Sequence, residues 1–83
     1  MHGKTRDGIK LSTIVRMVRE LDDVSTRMGT NHPILLLAQG YRPCPVAESS
    51  DARRMISPWL SHVLDYSPRQ VYSAFRAGRW YRG

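Results

Sequence analysis

The spacing of apolar residues along this 83-residue chain changes twice, from a helical period to an alternating one and back. In "TIVRMVREL", Ile14, Val15, Val18 and Leu21 recur at intervals of three and four, while Arg16, Arg19 and Glu20 fall on the other side. That is the pattern of an amphipathic helix, with Ser12 as its N-cap and an end near Asp22 and Asp23. Val24, Thr26 and Met28 then alternate with Ser25 and Arg27, as in a half-buried strand, and Gly29 stops the run. The continuous apolar run "PILLLA" reads as a central strand, and Gln39-Gly40 as a tight hairpin turn. In the following "YRPCPV", Pro43 and Pro45 cannot donate ladder hydrogen bonds, which marks an edge strand.

The last third is helical. In "AESSDARRMISPWLSHVL", Ser49 or Ser50 can cap a helix with Asp51 in its first turn, and Pro58 predicts a kink or break at Ser57. In "SPRQVYSAFRAG", Ser67 and Gln70 form a capping box, Pro68 suits the first helical position and Gly78 the C-cap. Val71, Tyr72 and Phe75 make the apolar stripe of that helix; Arg69, Ser73 and Arg76 share its wet face.

Helix, three strands and helices give an α+β fold: a helix, a three-stranded antiparallel sheet, a helix and an extra C-terminal helix. Residues 1–10 are polar and glycine-containing and read as a flexible leader. Residues 11–83 then form one domain, with a helical C-terminal extension from about residue 65. The expected core is Ile14, Val15, Val18, Leu21, Leu35, Leu37, Trp59, Leu60 and Val63.

Charge narrows the partner. Thirteen Lys and Arg oppose seven Asp and Glu, a net +6, and only Lys4 and Lys10 among the thirteen are lysines. Eleven arginines favour a phosphate-bearing partner over a neutral metabolite. The longest apolar run is strand-sized, so no membrane partner is expected, and the first ten residues lack the apolar core of a secretory signal. A cytoplasmic location follows. Cys44 is the single cysteine, which leaves no thiolate zinc site, and no metal or cofactor is called for. Between two prolines it reads as a small buried hydrophobe.

One stretch carries candidate chemistry: Gly29-Thr30-Asn31-His32, at the entrance to the central strand. Set after a first helix and before a hairpin closing at Gly40, Arg42, a proline and a further helix, it resembles the signature of the HicA family of toxin-antitoxin ribonucleases. That signature is a glycine, a serine or threonine, an asparagine or histidine, and a histidine. The resemblance covers roughly residues 11–64. It implies a double-stranded-RNA-binding-like fold, mRNA interferase activity, a HicB-like antitoxin as partner, and a catalytic role for His32.

Metal-free RNA cleavage needs a base for the 2'-hydroxyl proton, an acid for the departing 5'-oxygen, and positive charge near the transition state. A histidine with an unperturbed pKa near 6.5 serves either proton role at neutral pH. His32 fits one of them, and no motif supplies a second. Arg27 and Arg42, on strands expected to flank it, are candidate phosphate contacts with Asn31. Arg53 and Arg54 join them because a helix N-terminus favours anions. The plainer alternative makes Asn31-His32 a turn into the strand, with the imidazole bonding a loop carbonyl.

The tail allows other classes of function. Arg69, Arg76, Arg79 and Arg82, with Trp80 and Tyr81, can neutralise phosphates and stack on unpaired bases, or the rings can pack back on the domain. Residues 58–78 also read as a helix-turn-helix, exposing Arg69, Gln70, Ser73 and Arg76 to a DNA major groove. Pro45-Val46-Ala47 lacks the basic or histidine residues common after the third strand in HicA-like chains, which suits a non-catalytic interaction protein.

Overall fold

The structure, a computed structural model, describes residues 3–28 and 34–80. Its architecture is α+β, with helices α1 (Leu11–Arg19), α2 (Ser57–Val63) and α3 (Pro68–Ala77), a π-helix (Ala52–Ile56), and strands β1 (Ser25–Arg27), β2 (Ile34–Leu37) and β3 (Cys44–Val46). The strands form one antiparallel sheet in the order β1-β2-β3, so β2 is central and the proline-bearing β3 lies at an edge.

Helix α1 buries Leu11, Ile14, Val15, Met17 and Val18 and leaves Arg16, Arg19 and Glu20 exposed. It starts one residue before Ser12, and no side chain caps it; the Leu11 N–H instead donates to the Gly3 carbonyl at 3.1 Å. It ends earlier than Asp22, because the N–H groups of Glu20 and Leu21 turn to the carbonyls of Met17 and Val18 three residues back. Between β2 and β3 the Tyr41 N–H reaches the Ala38 carbonyl at 3.1 Å with Gly40 at φ +87°, the third-position geometry of a type II turn.

Two of the expected core residues face the other way. Ile34 and Leu36 are buried, opposite Val46 and Cys44, whereas Leu35 and Leu37 are half-buried on the outer face of the sheet. An unbroken apolar run carries no alternation to fix which parity points inward, and a shift of one residue reverses it. Ile14, Val15, Val18 and Leu60 lie in the core as expected, with Leu21, Trp59 and Val63 packed against it.

The π-helix runs into α2 without a break. Ser57, expected to leave helical geometry, sits at φ −63° and ψ −44°. A proline ring clashes with the carbonyl four residues back and has no N–H to bond it. Widening the turn before Pro58 resolves both problems: the N–H groups of Ile56 and Ser57 reach back five residues, to Asp51 and Ala52. Asp51, rather than Ser49 or Ser50, is the cap, accepting from the N–H groups of Arg53 and Arg54. Buried Ser50 closes the preceding turn, its hydroxyl donating to the Pro45 carbonyl and accepting from the Ala47 N–H.

Residues 3–10 are packed into the fold, not set apart from it as a leader. Ile9 and Thr5 are buried, Lys4 bridges to Lys10, and the Arg6 N–H donates to the Ser50 carbonyl at 2.9 Å. The Asp7 carboxylate accepts from the N–H groups of Ala52 (3.0 Å) and Arg53 (2.9 Å), 45 and 46 residues away. Two orphan donors of the π-helix thus find their partner in this arm.

Helix α3 matches its sequence signature in full, with the reciprocal Ser67–Gln70 capping box, Pro68 at the start and Gly78 at φ +79°. Val71, Ala74 and Phe75 are buried. Beyond it, Arg16 donates to the Gly78 carbonyl at 2.6 Å and the Trp80 indole to the Met17 carbonyl at 2.7 Å, tying the end of α3 to α1.

Candidate nucleic-acid interface

The registers of the two strand pairs define what meets at one end of the sheet. Arg27 pairs with Leu35 and Ile34 with Val46, so the end of β1, the start of β2 and the end of β3 coincide there. The residues between β1 and β2, Asn31 and His32 among them, lie outside the described residues. Exposed Arg27 stands at this end of the sheet.

The chain leaves β3 at the same end and turns into the π-helix, where Arg53 and Arg54 are both exposed. Arg6, also exposed, is brought to this turn by its N–H bond to Ser50. Arg6 falls within residues 1–10, which the sequence marks as a leader; no local signal reveals the long-range bonds of Arg6 and Asp7 that fix the arm. Arg42 lies elsewhere. It follows the β2–β3 turn, beyond the Leu36–Cys44 pair, at the opposite end of the sheet and about 10 Å or more from Ile34 at roughly 3.3 Å per residue.

The π-helix N-terminus is not the open anion site expected beside Arg53 and Arg54. Its N–H groups at 52, 53 and 54 already face the carboxylates of Asp7 and Asp51. Burial alone would raise the Asp7 carboxyl, but hydrogen bonds from the Thr5 hydroxyl and the N–H groups of Ala52 and Arg53 outweigh it and hold the group below the ordinary aspartate value. What these two arginines offer a phosphate is therefore their own guanidinium groups.

The remaining arginines form a separate set. Arg69 and Arg76 lie on the exposed face of α3 and exposed Arg79 follows Gly78. Gln70, considered as a base reader, spends its carbonyl oxygen on the Ser67 N–H at 2.8 Å, which holds its side chain to the helix start. The aromatic residues are mostly structural. The Trp59 indole donates to the Arg42 carbonyl at 2.7 Å and meets Tyr41 edge-on, while the Tyr41 hydroxyl donates to the carbonyl of exposed His62. Trp80 packs against Phe75 with ring centroids 5.7 Å apart.

Cys44 is buried, and burial pushes its thiol up to about 11, so it is protonated and unreactive at neutral pH. Among the described residues no three His, Cys, Asp or Glu side chains gather as a metal site, and no helix is long and apolar enough to cross a membrane. No family model, no curated protein and no solved structure matches the chain.

Proposed function

We propose that this protein is a HicA-like RNA-binding domain that acts in the cytoplasm as an mRNA interferase, with His32 as general acid or base and no metal. The supporting observations are exposed Arg27 at the end of β1, at the sheet end where β3 also ends, and exposed Arg6, Arg53 and Arg54 around the turn that follows β3. Guanidinium groups there offer forked donors to a phosphodiester and to the charge that builds on it in the transition state. One proton-transfer group contributes on the order of 10²–10⁴-fold, which makes a slow nuclease, and slowness is tolerable in a toxin. A HicB-like antitoxin is the protein partner of this reading.

The test compares wild type with His32→Ala on a mixed-sequence RNA and on duplex DNA, with cleavage and binding followed together. Loss of cleavage with RNA binding retained supports the nuclease. RNA binding without cleavage by either protein leaves an interaction module. Sequence-selective binding of duplex DNA, abolished by substituting Arg69 and Arg76, replaces this reading with the helix-turn-helix. Failure of wild type to bind any nucleic acid refutes the inference from charge.

A further inference from the structure

The two edges of the sheet are finished differently. Opposite Leu35, Pro45 has no N–H to give, so these two residues cannot exchange main-chain hydrogen bonds, and the bonds between β2 and β3 run through Ile34–Val46 and Leu36–Cys44. Pro45 therefore turns its carbonyl outward, where the Ser50 hydroxyl donates to it at 3.1 Å. That edge is closed. The same alternation points the main chain of Leu35 and Leu37 toward Arg27 and Ser25, and leaves the Thr26 N–H and carbonyl facing away from the sheet. No described residue bonds either group. Strand β1 is thus an open edge, a template for a further strand.

The charges along this edge are self-complementary. Arg27 and Ser25 share the outer face of the sheet with Leu35 and Leu37, and counting back by two more residues gives Asp23; all three of Asp23, Ser25 and Arg27 are exposed. Asp23, Ser25 and Leu37 line one recess of about 350 Å³, which sets Asp23 on that same face. We propose that β1 pairs antiparallel with β1 of a second copy of this chain, about a two-fold axis at Ser25. Thr26 then exchanges main-chain bonds with Val24 of the second copy, and Arg27 stands opposite Asp23 of the second copy, its guanidinium beside the recess. The two-fold axis makes that ion pair twice. Opposite charges facing across strands stabilise a pairing and like charges oppose it, so the charges also choose the register. Sliding the copies until Thr26 meets Met28 would set the two Arg27 side chains against each other. The pairing needs no RNA and goes beyond the proposed function.

Sedimentation equilibrium of the full chain, at low salt and without nucleic acid, tests the pairing. It compares wild type with Arg27→Asp, Asp23→Arg, the double exchange of both residues, and Thr26→Pro, with thermal unfolding confirming that each variant folds. Wild type is expected to dimerise, more weakly as salt rises. Each single reversal should raise the dimer dissociation constant about tenfold or more, and the double exchange should restore it. Thr26→Pro removes the outward donor and no bond to β2, and should leave a monomer. Wild type that stays monomeric up to about 1 mM overturns the second copy as the occupant of the edge. A dimer untouched by Thr26→Pro overturns the edge as its contact, and a double exchange as weak as the single reversals overturns the ion pair.

Discussion

Two helices in the last third of the chain begin in opposite ways. Helix α3 starts with what its own four residues supply: Ser67 accepts from the Gln70 N–H, and Gln70 accepts from the Ser67 N–H. The π-helix starts with Asp51, but also with Asp7, which reaches its first two N–H groups from the other end of the chain. Satisfying a helix start is an obligation that can be met locally or by tertiary structure, and only the first solution leaves a mark in the adjacent sequence.

The largest effect should come from removing the distant partner. Asp7→Ala deprives two helix donors and the Thr5 hydroxyl of a charged acceptor and loosens an arm that buries Ile9, which should cost about 2 kcal/mol. Thermal unfolding followed by circular dichroism should show a fall of about 10 °C. Ser67→Ala removes a local cap and should cost about 1 kcal/mol, with a midpoint shift about half as large.

Acidity sharpens the contrast between these two. The folded-state pKa of Asp7 is lowered, so its contribution is fully present above the ordinary carboxylate range and is lost as pH falls through the lowered folded value. The gap between wild type and Asp7→Ala should therefore hold at neutral pH and close in acid, while the gap for Ser67→Ala, a hydroxyl, stays open. A gap for Asp7→Ala that is independent of pH would sink the carboxylate account. The smallest effect belongs to Ser49→Ala, expected within about 0.5 kcal/mol of wild type, because exposed Ser49 caps nothing.

The same distinction explains what could be read in advance. The capping box, the glycine stop at 78, Pro45 of the edge strand and the apolar stripe of α1 are local signals, and α3, β3 and the buried face of α1 stand where they point, although α1 starts before Ser12 and ends short of Asp22. Leu35 and Leu37 lie on the outer face, which "ILLL" could not reveal because it has no polar residue to break the tie. Pro58 announced a disturbance but not its form, since a widened helical turn and a broken helix relieve the same clash. The arm of residues 3–10 was illegible, as its partners lie in another part of the chain. At the candidate site, Arg27 stands where the pattern of strand and glycine implied. Arg42 lies at the far end of the sheet, since closeness to a strand in sequence does not say which end of it a residue occupies.

The links between α1 and the end of α3 bear on the order in which the molecule assembles. Arg16 and Met17 receive their partners from residues 62 and 63 positions further along. Closing so long a loop costs little more free energy than closing a short one, since each doubling adds about 0.6 kcal/mol, but such contacts form late because the intervening chain must first be gathered in. These two links between α1 and the end of α3 are therefore expected to close late in folding, after the packing of α1 on β1.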